Sequence, residues 1–163
     1  MMPIKVLVLS DTHCESIKQL SPKLLYEIEN VNIIIHAGDY THISLVEELA
    51  SLKTFYGVYG NMDSYEIKNR LPEKLVIELE GFKIGIAHPS EGGPPFGIKK
   101  RVKALIKEKT DAIVFGHTHK AELSRVGDIL YMNPGSAKSS FLHPQTYILL
   151  DVSDKLYPKI VKI

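Results

Sequence analysis

Short apolar runs alternate with longer mixed segments along the first sixty residues of the chain. Residues 4–10, 31–36 and 54–59 are apolar and short, which is typical of buried strands. Between them, residues 17–29 and a stretch around Leu45 repeat apolar positions at helical spacing. This alternation predicts strand–helix–strand crossovers and therefore a parallel sheet.

In the second half, strands follow one another more directly. Residues 75–79 and 83–87 are separated by a short Gly-containing link, which predicts a hairpin. A helix predicted over 97–108 leads to a strand over 112–115. Four further strand-like runs follow, at residues 121–126, 129–132, 147–152 and 157–161. We therefore expect a mixed architecture of two stacked sheets with helices outside.

Composition limits the possible classes of protein. A chain of 163 residues with 44% hydrophobic residues can bury a substantial core, and we expect one domain over residues 1–163. Twenty Lys and Arg against nineteen Asp and Glu give a net charge of +1, so bulk attraction to nucleic acid is not expected. The single cysteine, Cys14, excludes an internal disulfide and a thiolate-rich zinc site.

No segment is typical of membrane insertion or secretion. The apolar run over residues 4–9 is too short for a signal peptide and is interrupted by Lys5. No stretch approaches the roughly 18 apolar residues of a membrane-spanning helix. We expect a soluble protein of the cytoplasm, with an oligomeric state that the sequence leaves open.

Five of the apolar runs end in side chains that bind metals. These side chains are Asp11, His13, Asp39, Asn61, His88, His117 and His119. Strands of open α/β sheets deliver their carboxyl ends to one edge, where active sites lie, so we expect the seven to lie together. A lone histidine is more often structural, and we interpret His36, His42 and His143 in that way.

The donor set predicts the chemistry. Seven nitrogen and oxygen ligands without a thiolate suit borderline divalent ions rather than a closed structural zinc site. Seven are too many for one tetrahedral ion, but if the Asp39 carboxylate bridges two ions, each has four protein ligands and open positions. Two such cations about 3.5–4 Å apart acidify a bridging water and clamp phosphoryl oxygens. This predicts hydrolysis of a phosphate ester by a bridging hydroxide at a two-metal centre.

The chain resembles the calcineurin-like metallophosphoesterases in five motifs. The motifs are Asp11-Thr12-His13, Gly38-Asp39, Gly60-Asn61-Met62-Asp63, His88 and Gly116-His117-Thr118-His119. The short length, and Asn133-Pro134-Gly135-Ser136 after the last motif, make it similar to the small archaeal and bacterial phosphodiesterase branch. The resemblance implies an α/β four-layer sandwich of two mixed β-sheets flanked by helices.

The resemblance also implies a cofactor, a ligand set and an activity. The cofactor would be two divalent transition-metal ions, most often Mn²⁺, with Ni²⁺, Fe or Zn²⁺ as alternatives. One ion would take Asp11, His13, Asp39 and His119, and the other Asp39, Asn61, His88 and His117. Asn61 and His88 would also bind the substrate, a small phosphodiester. A phosphomonoesterase, or a non-catalytic metal-binding scaffold resembling the retromer subunit, are the alternatives.

The sequence departs from the family pattern at two positions. Pro89 follows His88, where the family usually has a glycine. Met62 occupies the place of a histidine that resembles a general acid, and its thioether has no proton to donate. A general acid contributes about 10²–10⁴ in rate. We therefore expect weakly basic leaving groups to depart unaided, or to be protonated by metal-bound water or by Asp63, the one catalytic side chain that we predict.

Two segments can each be interpreted in more than one way. Residues 89–97 are rich in Gly and Pro and follow His88, so they either shape the substrate entrance or form a plain surface connection. The basic residues between 99 and 107, among them Arg101, alternate with apolar positions at helical spacing. We interpret these as the solvated face of a helix, some of whose charges could steer an anionic substrate.

Overall fold

The computed structural model describes residues 2–89, 91–138 and 141–163. These residues form ten strands, which we number β1 to β10: Ile4–Leu9, Ile33–His36, Thr54–Gly57, Lys74–Leu79, Phe82–Ala87, Ala112–Phe115, Glu122–Val126, Ile129–Asn133, Thr146–Val152 and Leu156–Lys162. They also form four α-helices, α1 to α4: Pro22–Asn30, Ile43–Leu52, Tyr65–Arg70 and Ile98–Leu105. A short 3-10 helix, Ile17–Gln19, precedes α1.

The strands form two five-stranded sheets, and both sheets are mixed. The first has the order β10-β9-β1-β2-β3, in which β1, β2 and β3 are parallel and β9 pairs antiparallel with both β1 and β10. The second has the order β4-β5-β6-β8-β7, with β5, β6 and β8 parallel between two antiparallel edge strands. The prediction of two mixed sheets with helices outside is confirmed.

Alternate residues of β1 show how the layers stack. Val6 and Val8 belong to the apolar core between the two sheets. Leu7 and Leu9 belong to the core that the first sheet forms with α1, α2 and α3. A smaller core under α4 covers the second sheet. Strands buried on both faces read as continuous apolar runs, which is why the sequence pattern located β1 and β2.

The boundaries differ from the predicted ones where capping residues interrupt the pattern. The helix predicted over 17–29 is wrong as one element, because Ser21 accepts the Leu24 N–H and Pro22 occupies the first turn of α1. Proline has no N–H to continue a preceding helix, so the chain breaks there. Helix α3, capped by Ser64, was not predicted from the sequence.

The remaining boundary differences are small. The strands predicted over 31–36 and 54–59 are shorter, Ile33–His36 and Thr54–Gly57, and the helix predicted over 97–108 is Ile98–Leu105. Among the described residues, no helix combines the length and the apolar character needed to cross a membrane.

Candidate metal centre

All seven predicted ligands follow the carboxyl ends of parallel strands. Asp11 and His13 follow β1, and Asp39 and Asn61 come after β2 and β3. In the second sheet, His88 directly follows β5, and His117 and His119 follow β6. The structure brings their donor atoms into two adjacent clusters at one edge of the sandwich.

Strained backbone is concentrated at these strand ends. Five of the seven predicted ligands have a positive φ, between 44° and 88°: Asp11, His13, Asp39, His117 and His119. Left-handed backbone costs a residue with a side chain about 1–3 kcal/mol, and it persists only where surrounding contacts enforce it. The positive φ angles therefore mark strand ends whose shape is held by contacts with other parts of the chain.

Glycines let the loops after β2 and β3 touch. A Cβ on Gly38, whose φ is 103°, would lie 2.8 Å from the backbone nitrogen of Gly60. A Cβ on Gly60 would lie 2.1 Å from Oδ1 of Asp39. Neither position can carry a side chain without moving the loop that holds Asp39.

The first cluster consists of Asp11, His13 and His119. Oδ1 of Asp11 lies 3.3 Å from Nε2 of His119 and 3.9 Å from Nε2 of His13. Within the described part of the chain, Asp11 Oδ1 and His13 Nε2 are buried and have no hydrogen-bond partner. The other oxygen, Asp11 Oδ2, accepts the hydroxyl of Ser10 at 2.5 Å. Buried polar atoms without partners are rare, and here they face one another across a gap.

The second cluster consists of Asp39, Asn61, His88 and His117. Nε2 of His88 lies 2.8 Å from Oδ1 of Asn61 and 3.4 Å from Oδ2 of Asp39. The other nitrogen of His88, Nδ1, lies 2.8 Å from the carbonyl of Ala37. A carbonyl only accepts, so Nδ1 carries the proton and a neutral His88 presents the Nε2 lone pair to the cluster.

His117 has the same arrangement with its nitrogens exchanged. Its Nε2 lies 2.8 Å from the carbonyl of Gly93, and its Nδ1 lies 3.2 Å from Oδ1 of Asn61. The backbone N–H of His117 donates to Oδ2 of Asp11, which ties the two clusters together. The neutral imidazole therefore points an Nδ1 lone pair at the amide oxygen of Asn61.

These donor atoms fit divalent cations. With both imidazoles neutral, four acceptor atoms of the second cluster converge, an arrangement that is repulsive unless a positive charge occupies the middle. Single donor atoms from Asp11, His13 and His119 lie within 4.8 Å of one another, and so do those from Asp11, Asp39 and His88. Asp11 thus belongs to both groups, and the bridging role of Asp39 stays a prediction.

The charges of the site shift its pKa values in opposite directions. Burial opposes ionisation of Asp39, but the nearby His88 imidazole and the Met62 N–H outweigh it and lower the pKa of Asp39 to about 2. Burial lowers the pKa of His88, yet its contacts with Asp39 and Asp11 win and raise that pKa. The close approach of the Asp11 carboxylate raises the pKa of His119, whereas burial lowers the pKa of His13. The Asp39 carboxylate is therefore ionised and ready to bind a cation at neutral pH.

Asp63 is turned toward the protein. Its carboxylate accepts three backbone N–H groups, from Asp39 and Gly60 on Oδ2 and from Thr41 on Oδ1, at 2.7–2.9 Å. Only 6% of the residue is exposed, and burial raises its pKa. These bonds position the loops that hold Asp39 and Asn61. They do not favour the predicted role of Asp63 as a proton donor to a leaving group.

Met62 lies at the rim of the site. It is 62% exposed, and its backbone N–H donates to Oδ1 of Asp39 at 2.8 Å. The backbone thus supports the second cluster, while the side chain stands in solvent. A proton-donating side chain at this position would have access to an incoming substrate.

Sequence reasoning missed the residues that support the ligands. Ser136 donates its hydroxyl to the carbonyl of Asp11 at 2.7 Å, which joins the segment after β8 to the first cluster. His36, which we interpreted as structural, is buried with Nε2 3.0 Å from the Thr12 hydroxyl and Nδ1 accepting the Gly38 N–H. Burial lowers its pKa well below the ordinary value, so His36 is neutral. The Asn-Pro-Gly-Ser motif was the one sequence signal for Ser136.

Comparison with known proteins agrees with this geometry. The chain is 35% identical over 158 residues to a probable metallophosphoesterase of Methanocaldococcus jannaschii, an alignment that covers 96% of this chain and 80% of the relative. It is 26% identical to a phosphodiesterase of the same organism, covering 97% of this chain and 99% of the relative.

A solved structure has the same fold at lower identity. Vps29 of Entamoeba histolytica, crystallised with Zn²⁺, superimposes with a TM-score of 0.71 at 24% identity, covering 97% of this chain and 98% of that one. At this identity the match establishes the fold alone. The family model of the calcineurin-like phosphoesterase superfamily domain matches residues 4–155, which includes every predicted ligand. The chain therefore belongs to the calcineurin-like phosphoesterase superfamily.

Proposed function

We propose that this protein is a phosphodiesterase that works with two divalent transition-metal ions. The observation that carries the proposal is the convergence of acceptor atoms at one sheet edge. In the second cluster, two imidazole lone pairs meet an amide oxygen and a carboxylate oxygen. In the first, a buried carboxylate oxygen and a buried imidazole nitrogen face each other without hydrogen-bond partners in the described chain.

The ligand assignment follows the two clusters. One ion takes Asp11, His13, Asp39 and His119, and the other takes Asp39, Asn61, His88 and His117. The oxygen and nitrogen donors suit Mn²⁺, which we favour, and also Ni²⁺, Fe or Zn²⁺. When bound, such ions acidify water at neutral pH and offset the negative charge of a phosphoryl group.

Side chains at the site orient the substrate and determine which leaving groups are favoured. His88 is fixed by Ala37, and Asn61 contacts both His88 and His117, so these side chains can orient a phosphodiester at a defined place. With Met62 at the rim and Asp63 engaged by backbone N–H groups, neither of these two side chains is placed to protonate a strongly basic leaving group. We therefore propose activated phosphodiesters as the best substrates.

A scaffold without catalysis is the competing function. The absence of a proton donor at Met62 favours it, and the fold that the chain shares with Vps29 is compatible with it. The complete set of converging donors favours the enzyme, because a protein without catalysis has little reason to hold the full ligand set of two ions. The same experiment tests both.

The test strips the protein of metal and adds Mn²⁺, Ni²⁺, Zn²⁺ or Mg²⁺ separately. We expect hydrolysis of bis-(4-nitrophenyl) phosphate with at least one transition metal, and much slower hydrolysis of 4-nitrophenyl phosphate. Asp39→Ala should abolish the diesterase activity, whereas Asp128→Ala, on an exposed turn, should keep it. Bound ions without activity on either ester would instead support the scaffold.

A further inference from the structure

The Gly- and Pro-rich loop between β5 and α4 reaches the second cluster. The carbonyl of Gly93 contacts Nε2 of His117 at 2.8 Å. Gly92 is buried, and a Cβ there would lie 3.3 Å from the amide nitrogen of Asn61. The loop therefore lies directly over two of the proposed ligands, so the plain surface connection that the sequence allowed is excluded for these residues.

Arg101 on α4 holds this loop in place. Its Nη1 donates to the carbonyl of Gly92 at 2.6 Å, and its Nη2 donates to the carbonyl of Pro94. A Cβ on Gly93 would lie 2.6 Å from Nη1, so the guanidinium packs against the bare backbone of Gly93. The interpretation of Arg101 as one of several solvated charges is wrong, because its two terminal nitrogens donate to the carbonyls of the residues before and after Gly93.

The contact with Gly93 decides which nitrogen of His117 is free. A carbonyl cannot donate, so Nε2 of His117 must carry the proton in the neutral ring. The Nδ1 lone pair then faces Oδ1 of Asn61, 3.2 Å away. Without the Gly93 carbonyl nothing in these contacts selects this tautomer, and the other one would place a proton where an ion is proposed to bind.

We propose that Arg101 is a positioning residue for His117. It clamps the carbonyls on either side of Gly93, and the clamped Gly93 carbonyl fixes the tautomer and the ring orientation of His117. The part of this proposal that concerns an ion rests on the proposed function. Groups that orient metal-binding histidines in this way typically change metal affinity about 10–100-fold when removed.

The chemistry of arginine suits the clamp better than that of lysine. The guanidinium is planar and rigid, and it presents parallel N–H groups that reach two carbonyls at once. The ammonium of a lysine is a point charge that has no fixed fork. Arg101→Ala should therefore lose the clamp, and Arg101→Lys should retain part of it. Lys100→Ala removes an exposed charge from the next position of the same helix and is the matched control.

The first experiment examines the metal-free protein. Two-bond ¹⁵N–¹H correlation spectra report the tautomer of each imidazole, with His117 assigned by the loss of its signals in His117→Gln. We expect one tautomer with Nε2 protonated in the wild type and in Lys100→Ala, and a mixture in Arg101→Ala. An unchanged single tautomer in folded Arg101→Ala and Arg101→Lys proteins would overturn the proposal.

The second experiment titrates the same metal-free variants with Mn²⁺ in a calorimeter. We expect Arg101→Ala to weaken one of two binding steps by about ten-fold and to leave the other unchanged. Equal weakening of both steps, or none, would overturn the proposed link to the second cluster. If the wild type binds no ion, the proposed function fails, and the spectra alone decide whether Arg101 positions His117.

Discussion

The two clusters of the candidate centre keep their donor atoms in place by different means. In the first, all three residues have left-handed backbone, and Asp11 Oδ1 and His13 Nε2 are buried without partners in the described chain. In the second, the N–H of each imidazole is bonded to a backbone carbonyl, from Ala37 for His88 and from Gly93 for His117.

This difference predicts which kind of substitution most affects metal binding at each cluster. The first leaves buried polar atoms unsatisfied, so a bound cation would remove a desolvation penalty of about 1–3 kcal/mol for each atom. The second is organised before any ion binds, since its hydrogen bonds select the imidazole tautomers. Changes of ligands should therefore dominate in the first cluster, whereas changes of supporting groups should be visible in the second.

The largest effect should come from Asp11, which lies in both groups of donor atoms. Asp11→Asn keeps the shape of the side chain but removes its charge. We expect the affinity for the ion at the first cluster to fall by more than about 100-fold, beyond what the loss of a supporting group costs. Calorimetry of the metal-free protein measures this. An undiminished affinity would contradict the assignment of Asp11 as a ligand of that ion.

The next effect concerns the side chain at position 62. Met62→His should raise the rate on poor leaving groups by about 100-fold, within the range of general acid catalysis. Rates on nitrophenyl diesters should change little, because that leaving group departs without a proton. Tyr65→His, at another exposed position, serves as the control. Equal acceleration of good and poor leaving groups would refute a proton-donor deficit at this site.

A smaller effect should follow from Ser10, whose hydroxyl donates to Oδ2 of Asp11. Ser10→Ala leaves the ligands intact and removes one of the two hydrogen bonds to this oxygen, since the His117 N–H still donates to it. We expect the ion at the first cluster to bind more weakly, but by less than about ten-fold. Ser124→Ala, on β7, provides the comparison in the same titration. Undiminished affinity in Ser10→Ala would mean that backbone geometry alone holds Asp11.

The smallest effect concerns the dependence of stability on pH, through His36. Because burial keeps the pKa of His36 well below 6.5, the unfolded state binds a proton below that pH and the folded state does not. His36 should therefore lower the free energy of unfolding of the metal-free protein as the pH falls below 6.5, by up to about 1.4 kcal/mol per pH unit.

The variant His36→Asn isolates this contribution. His13, His88 and His119 titrate in both proteins, so they cancel in the difference between the two. Urea denaturation between pH 7.5 and 5.5 should show the stability of the wild type approaching that of the variant as the pH falls. Parallel pH profiles would indicate that His36 is protonated in the folded protein.

Features with a local cause were predictable from the sequence, and so was the position of each proposed ligand. Apolar runs such as those of β1 and β6 give strands, and parallel strands bring their carboxyl ends to one edge. Ser21 and Pro22 are also local signals, because they mark the start of α1. The first helix was predicted to begin too early because its apolar spacing was given more weight than these two residues.

Features that depend on distant contacts were not predictable. Nothing in the sequence near Arg101 indicates that it binds the carbonyls of Gly92 and Pro94, since its neighbours on α4 are lysines of similar pattern. The left-handed backbone of Asp11 and Asp39 likewise depends on loops that meet only in the folded chain. The supporting groups of the centre therefore required the structure.

The positive φ angles at the strand ends have a consequence for engineering. A thermostabilisation campaign that scores each position by its conformational preference would select glycine or asparagine for Asp11, His13, Asp39 and His119. Every such exchange would relieve backbone strain and would delete a proposed ligand. Screening for heat resistance without added metal would thus drive the protein toward an inert scaffold.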